Sequence, residues 1–262
     1  GLGHAGTIRP FDLTINKGEV IGLTGLLGSG RSELVRTIYG ADKADSGVLK
    51  VKGKDTKISS PLDAMKAGMA YLPEDGITAK HPITSMHAGM AYLPEDRKNE
   101  GIIADLSVRE NMIMALQAKR GMFKLLSRKQ MEEFADKYID LLQIKTASRE
   151  TPIKSLSGGN QQKVCVARAL TQQPELLLVS EPTRGIDIGA KKLILDLLKS
   201  LAEERGMTIV MTSSELAELR SICDRVLIIC EGRVAGVLKP EASDEEYGLM
   251  MSSAHVSKEK EA

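Results

Sequence analysis

A glycine-rich segment near the amino terminus has the residue types of a phosphate-binding loop. Residues 25–32, Gly-Leu-Leu-Gly-Ser-Gly-Arg-Ser, have the spacing G-x-x-x-x-G-K-[ST] and lie between an apolar run and a helical pattern. Glycines let successive backbone N–H groups face a phosphate, and the following helix amino terminus adds partial positive charge. An ordinary glycine-rich turn is the alternative. The candidate phosphate contacts are Gly25, Gly28, Ser29, Gly30, Arg31 and Ser32.

Two side chains of this loop decide its further chemistry. Ser32 is expected to place its hydroxyl on Mg²⁺, as the Ser or Thr of such loops does. Arg31 stands where the pattern has lysine, which keeps the charge but replaces a compact ammonium by a wide planar guanidinium. We therefore expect a weakened phosphate cradle.

A second segment follows the apolar run at 176–179. In P-loop ATPases the corresponding strand ends in two acidic residues. The first supports Mg²⁺, and the second can polarise the attacking water. Glu181 is available as general base, but Ser180 has only a neutral hydroxyl where a hard cation prefers a carboxylate. An exposed acid at a strand end is the alternative. The Pro-Thr-Arg-Gly-Ile-Asp that follows at 182–187 favours the catalytic interpretation.

A third segment, Leu-Ser-Gly-Gly-Asn-Gln-Gln-Lys at 156–163, precedes a helical pattern that runs to about residue 170. Small residues at a helix start expose N–H groups and a serine hydroxyl, which suit a phosphate. A solvent-facing capping loop is the alternative. The candidate residues are Leu156, Ser157, Gly158, Gly159 and Asn160.

The surrounding elements predict an α/β fold with a parallel sheet. Buried parallel strands with crossover helices produce short apolar runs separated by helical patterns. Such runs occur at 19–24, 176–179, 208–212 and 226–230, with helical patterns at 31–39, 191–204 and 214–223. The region 97–155 is mostly helical in pattern, with a capping box that begins at Ser107 and helical periodicity over 131–142.

The amino-acid composition favours a globular domain and gives no support for nucleic-acid binding. An apolar fraction of 42% supports a buried core, while 36 basic and 35 acidic side chains give no electrostatic reason to expect nucleic acid. Cys165, Cys223 and Cys230 lack metal-ligand spacing and are expected to be core residues in a reducing compartment. With no apolar run of about 20 residues and no signal peptide, we expect any membrane role to come through a partner.

One nine-residue segment, Ala-Gly-Met-Ala-Tyr-Leu-Pro-Glu-Asp, occurs at 67–75 and again at 88–96. Two copies with different flanks do not make a solenoid, which needs at least three stacked units. We interpret the repeat as a local tandem duplication that lengthens a loop. Only one copy is expected to occupy the strand beside the phosphate site.

With three motifs in this order, the sequence resembles the ATP-binding cassette (ABC) family over nearly its whole length. Segments 156–163 and 181–187 resemble the ATPase subunits of bacterial monosaccharide importers of the ribose, galactoside and xylose type, which carry two fused cassettes. Segments 25–32, 92–98 and 212–215 resemble the second, C-terminal cassette.

This resemblance implies a P-loop NTPase fold, in which a RecA-like core carries an α-helical subdomain. The implied divisions are 1–96 for the first part of the core, with its first strand truncated, 97–160 for the helical subdomain, 161–251 for the second part and 252–262 for a polar tail.

It also implies ATP and Mg²⁺ as cofactors and a second cassette as partner. Each nucleotide would lie between the phosphate loop of one cassette and residues 156–160 of the other, with Asp187 in the loop that communicates across the interface. The helical region would meet integral membrane permease subunits at the cytoplasmic face of the membrane. A periplasmic sugar-binding protein would be an indirect partner, and nucleic acid would not be one.

Departures from the family pattern predict slow hydrolysis at this site. Glu95, or its duplicate Glu74, takes the position of a glutamine at the entry to the helical region, and Ser214 stands where a switch histidine normally follows the strand. Arg31, Ser180 and Ser214 also support one alternative, a nucleotide-sensing module without catalysis. The other alternative is a soluble cassette protein of DNA repair or translation, for which we expect a long coiled-coil insertion or a long charged linker between paired cassettes, and the sequence has neither.

Overall fold

Ten strands and eight α-helices are formed by the part of the chain that the computed structural model describes, residues 1–72, 102–121, 124–186 and 188–252. The strands are β1 (Leu2–His4), β2 (Ile8–Phe11), β3 (Val20–Thr24), β4 (Lys50–Val51), β5 (Lys54–Asp55), β6 (Met69–Leu72), β7 (Leu176–Ser180), β8 (Thr208–Thr212), β9 (Arg225–Cys230) and β10 (Arg233–Leu238). The helices are α1 (Arg31–Tyr39), α2 (Pro61–Lys66), α3 (Val108–Arg120), α4 (Arg128–Leu141), α5 (Gly158–Leu170), α6 (Ile188–Arg205), α7 (Leu216–Ile222) and α8 (Asp244–Met251).

A six-stranded sheet in the order β10-β9-β3-β8-β7-β6 lies at the centre. Strands β9, β3, β8, β7 and β6 are parallel, and β10 pairs antiparallel with β9 at one edge. Two small antiparallel sheets, β1-β2 and β4-β5, accompany it. The predicted parallel α/β arrangement is confirmed.

Alternate residues of the central strands pack into two apolar cores. In β3, Ile21 and Leu23 belong to the core that contains Leu34 and Ile38 of α1. In β7, Leu177 and Val179 belong to the opposite core, which contains α5 residues such as Val164. Because neighbouring side chains of a strand point to opposite faces, strands covered on both faces are apolar throughout. This explains the continuous apolar runs in the sequence.

Helix α7 begins later than the pattern predicted. The sequence favoured a helix over 214–223, whereas the helix begins at Leu216. The Ser213 hydroxyl accepts a hydrogen bond from the backbone N–H of Glu215 at 3.0 Å. Such a local serine turn competes with helical backbone bonding, so Ser214 remains in the loop before the helix.

The capping box predicted at Ser107 is confirmed at the start of α3. The Ser107 hydroxyl accepts from the backbone N–H of Glu110 at 3.2 Å, and the Glu110 carboxylate accepts from the backbone N–H of Ser107 at 2.8 Å. The bond from the Ser107 backbone N–H, and a second bond that the Ser107 hydroxyl donates to the same carboxylate at 2.7 Å, lower the pKa of Glu110. A second capping box, formed by Ser127 and Gln130, begins α4. Both helices of the predicted helical region therefore have defined starts.

Arg168 of α5 is buried and connects this helix to α3. Its Nε donates to the backbone carbonyl of Asn111 at 2.7 Å, and its Nη2 donates to the Asn111 side-chain oxygen at 3.1 Å. The Asn111 amide nitrogen donates to the carbonyls of Ile103, Leu106 and Ser107. This buried polar network fixes α5 against the helical region.

The sequence predicts that the three cysteines are core residues. Cys165, Cys223 and Cys230 are free and buried, and burial raises the pKa of the Cys223 thiol to about 12.

In the first copy of the repeat, residues 69–72 form β6 beside β7. The second copy, at 88–96, lies outside the described residues, so its predicted exclusion from the sheet stays a prediction. Across the described ranges, no helix is long and apolar enough to cross a membrane.

The Arg168 network predicts a stability effect. Asn111→Ala removes an acceptor from a buried guanidinium, so urea denaturation should show a loss of about 2–4 kcal/mol in the free energy of unfolding. Asn16→Ala, at an exposed asparagine, is the matched control and should change it by less than about 0.5 kcal/mol. Equal effects from the two substitutions would show that the network contributes no particular stability.

Candidate functional site

Three loops meet at the carboxyl edge of the sheet. Strands β3, β8 and β7 are neighbours, and Thr212 is level with Leu23 on one side and Ser180 on the other. The loops that follow these strands therefore lie side by side. Ligands of open parallel sheets bind at this edge.

The loop after β3 has the backbone that a phosphate cradle requires. A Cβ on Gly25 would lie 2.2 Å from the carbonyl oxygen of Ile229, so only glycine fits there. Gly30 has φ of 100° at the start of α1, a left-handed conformation that favours glycine. Gly28 and Ser32 lie on either side of Gly30, with Gly28 in the turn and Ser32 in the first turn of α1. The hydroxyl of Ser29 is buried without a hydrogen-bond partner among the described residues.

Arg31 and Glu181 form a largely buried ion pair across this loop. The Arg31 Nη2 donates to Oε1 of Glu181 at 2.9 Å, and its Nη1 donates to the Gly25 carbonyl at 3.1 Å. Their side chains are 12% and 5% exposed. The guanidinium therefore connects the phosphate loop to the predicted general base.

The backbone holds Glu181 in an unusual conformation. Its φ is 43°, in the left-handed region that few residues other than glycine adopt. The Glu181 N–H donates to the carbonyl of Thr212 at 3.0 Å, which fixes the loop to β8. The Ser214 hydroxyl donates to Oε2 of Glu181 at 3.3 Å. One carboxylate thus contacts both Arg31 and the residue at the switch position.

Ser180 lies at the end of β7 and faces a tyrosine that sequence reasoning missed. The hydroxyls of Ser180 and Tyr71 are 3.3 Å apart, and Ser180 is 1% exposed. The ring of Tyr71 lies 5.4 Å from that of Tyr39, whose pKa is raised by burial and by the nearby Tyr71. Tyr71 lies in the repeated segment. Its contact with Ser180 could be predicted only from the order of the strands.

The residues present fit a phosphate better than they fit a metal ion. The glycine cradle and the start of α1 suit phosphate oxygens. For Mg²⁺, Ser32 and Ser180 offer hydroxyls, whereas the Glu181 carboxylate is paired with Arg31. No group of three or more His, Cys, Asp or Glu that could hold a metal occurs within the described ranges. Mg²⁺ at this site would therefore depend on phosphate oxygens and water.

Residues 156–160 lie at the start of α5. Ser157 is the N-cap residue, and the Asn160 side chain donates to its hydroxyl at 2.9 Å. Gly158 is exposed, while Leu156 is buried in the core and anchors the segment. A Cβ on Gly159 would lie 2.9 Å from Cβ of Ala190, so this helix start packs closely against α6. Three other predicted positions, Glu74, Glu95 and Asp187, lie outside the described residues.

Solved structures of ATP-binding cassettes have this fold. The dimeric post-hydrolysis state of the cassette MJ0796, bound to ADP and Pi, matches with a TM-score of 0.70 at 22% identity, covering 90% of this chain and 92% of that one. CbiO1 from Clostridium perfringens, part of the transporter complex cbiONQ, matches with a TM-score of 0.70 at 21% identity, covering 95% and 89%. The expected cassette fold is confirmed.

The chain belongs to the ABC transporter family, whose model matches residues 8–184. It is 47% identical over 229 residues to the fructose import ATP-binding protein FruK of Bifidobacterium longum, covering 87% of this chain and 40% of the relative. It is 45% identical over 227 residues to the galactofuranose transporter ATP-binding protein YtfR of Escherichia coli K12 (87% and 41%). For the ribose import ATP-binding protein RbsA of Bacillus cereus E33L, identity is 39% over 241 residues (92% and 44%). The chain thus spans less than half the length of these relatives.

The ion pair predicts how a substitution at Glu181 changes nucleotide binding. Glu181→Gln keeps the side-chain shape but removes the charge that holds Arg31 and repels phosphates. Affinity for a fluorescent ATP analogue should rise about tenfold, an effect of the size of one charge-assisted hydrogen bond. Glu175→Gln removes half of an exposed ion pair with Lys52 and is the control, expected to leave affinity unchanged. Unchanged or weaker binding by Glu181→Gln would refute this role of the pair.

Proposed function

We propose that this chain is the ATP-binding domain of a bacterial sugar importer and that its own phosphate site is degenerate. The observation that carries the proposal is the Arg31–Glu181 ion pair, which places a phosphate-binding cation on the general base. The similarity to sugar import ATP-binding proteins supports the transport role.

In this proposal the loop after β3 holds the phosphates of ATP. Gly25, Gly28 and Gly30 contribute backbone N–H groups, Ser29 contributes its hydroxyl, and Ser32 contributes a hydroxyl to Mg²⁺. Arg31 binds phosphate oxygens once it has left Glu181. Phosphates must therefore replace a buried carboxylate as the partner of the guanidinium, which lowers their apparent affinity.

Glu181 is the proposed general base of hydrolysis, and three neighbours weaken the reaction. Arg31 neutralises the carboxylate, Ser180 supplies no charge for the metal, and Ser214 offers a hydroxyl in the place of a histidine. Loss of one preorganised donor typically costs about 10²–10³ in rate. Hydrolysis at this site is therefore slow, even if the losses are less than additive.

Residues 156–160 serve the nucleotide of a second cassette. The exposed Gly158 and the Ser157 hydroxyl at the start of α5 suit a phosphate that approaches from outside the chain. Asp187 and Glu95 are the proposed communicating residues. This chain corresponds to the C-terminal cassette of a fused pair, with a core at 1–96 and 161–251, a helical subdomain at 97–160 and a polar tail at 252–262.

The remaining proposed partners are permease subunits and, indirectly, a periplasmic sugar-binding protein. Integral permease subunits at the cytoplasmic face would contact the helical region, and a periplasmic sugar-binding protein would act through the permease. Co-purification of this chain from its source organism tests the assignment. We expect a permease and a sugar-binding protein in the complex, whereas recovery with repair or translation factors would contradict it.

A nucleotide-sensing module is the second candidate, because Ser180 and the paired Glu181 also suit binding without hydrolysis. The two candidates differ in turnover. A transport ATPase half should hydrolyse ATP when its phosphate site is repaired or when a competent cassette is added. A sensor should not hydrolyse ATP in either case.

A carboxylate at position 180 should make ATP binding depend more strongly on Mg²⁺. Ser180→Asp would receive a hydrogen bond from the Tyr71 hydroxyl and offer a charged ligand, so Mg²⁺ should strengthen ATP affinity about tenfold more than in the wild type. Wild-type turnover should stay below about 1 s⁻¹.

Ser200→Asp, which places the same charge on the partly exposed face of α6, is the control and should not alter the effect of Mg²⁺. Calorimetric titrations with and without EDTA measure the difference. Wild-type turnover above about 1 s⁻¹, or no gain from Ser180→Asp, would contradict degeneracy.

A further inference from the structure

A buried carboxylate lies behind the site and is not one of its predicted residues. Glu218 of α7 is 5% exposed and accepts a hydrogen bond from the Thr183 hydroxyl at 2.5 Å. It also accepts one from the Ser213 hydroxyl at 2.9 Å. Thr183 and Ser213 are 1% and 0% exposed, so both bonds are shielded from water. Hydrogen bonds to a charged group in such surroundings are strong and directional.

A cation from a third element completes this arrangement. Lys191 of α6 donates to Glu218 at 3.2 Å and also pairs with Glu215 at the surface. The hydrogen bond to Glu215, and then that to Glu218, raise the pKa of the lysine. The Lys191 side chain is 21% exposed and that of Glu215 is 56% exposed. Glu218 is thus the buried partner of the lysine, and Glu215 is the solvent-facing one.

The three donors belong to the segments that carry the site. Thr183 lies two residues after Glu181, and Ser213 directly precedes Ser214. Lys191 lies in the first turn of α6, where Ala190 packs against Gly159 at the start of α5. One carboxylate therefore holds the loop of the general base and the switch loop to the helix beside residues 156–160.

Stability alone does not explain a charged group at this position. A buried ion pair is often no more stabilising than apolar side chains of similar volume, because desolvation offsets the attraction. A carboxylate with three donors does fix the relative positions of its partners. The geometry points to Glu218 as a positioning residue that keeps Glu181 and Ser214 in register with α6; this inference rests on the proposed function for its effect on nucleotide binding.

Conservative substitutions in the full chain test this role. Glu218→Gln keeps the volume but loses the charge, and its amide can bond both hydroxyls only if one of them accepts. Thr183→Val and Ser213→Ala each remove one hydroxyl. Glu215→Gln is the matched control, since it removes the exposed partner of Lys191 and leaves the buried bonds intact.

Amide hydrogen exchange without nucleotide is the first measurement. In Glu218→Gln, exchange in segments 181–186 and 213–216 should become about tenfold faster, the size of one lost charged hydrogen bond. Thr183→Val should also accelerate exchange at 213–216, and Ser213→Ala at 181–186, because each effect passes through the carboxylate. Strand β3 should be unaffected. Acceleration confined to the substituted loop, or equal acceleration throughout the chain, would overturn the inference.

Affinity for a fluorescent ATP analogue with Mg²⁺ is the second measurement. Glu218→Gln and Thr183→Val should each strengthen it about tenfold, because a loosened Glu181 holds Arg31 less firmly, and the double variant should strengthen it no further, because both remove the same coupling. The melting temperature of Glu218→Gln should stay close to that of the wild type. A lowered melting temperature with unchanged affinity would assign Glu218 a purely structural role. If the wild type itself binds no ATP, the proposed function fails, while the exchange measurement still decides the positioning role.

Discussion

A largely buried ion pair between Arg31 and Glu181 links the phosphate loop to the proposed general base. It forms because β3 and β7 end level on either side of β8, which brings together residues 150 positions apart in the sequence. Removing two charges from water is costly unless geometry and hydrogen bonds compensate. Here the Gly25 carbonyl and the Ser214 hydroxyl provide further bonds. The pair thereby determines what an incoming nucleotide has to displace.

The surrounding structure supports this pair from two directions. On one side Ser180 and Tyr71 form a buried hydroxyl contact where a charged metal ligand would be expected. On the other side Glu218 binds Thr183, Ser213 and Lys191 and fixes both loops to α6. Because the strands are packed on both faces, the loops have little freedom to shift. In this account ATP binding exchanges the partners of Arg31 rather than rebuilding the site.

Much of the fold could be predicted because local sequence patterns specify it. The continuous apolar runs of β3, β7, β8 and β9 reflect strands covered on both faces, and the capping box of α3 is a purely local signal. The unusual identities of Arg31 and Ser180 were also evident from motif spacing. Each could be assessed only against its own motif, however, since no local pattern records which strands are neighbours.

Contacts across the sheet could not be predicted for the same reason. The Arg31–Glu181 pair, the Tyr71–Ser180 contact and the bonds to Glu218 all depend on strand order and register. The late start of α7 depends on a serine turn at Ser213 that competes with the helical pattern. In each case tertiary geometry decided between side-chain partners that the sequence left equivalent.

The most direct test is a crystal structure of this chain with Mg²⁺ and a non-hydrolysable ATP analogue. The account predicts that Arg31 Nη2, now 2.9 Å from Glu181 Oε1, moves beyond hydrogen-bond distance and contacts phosphate oxygens instead. Phosphates bound in the loop while the Arg31–Glu181 pair stays intact would contradict it.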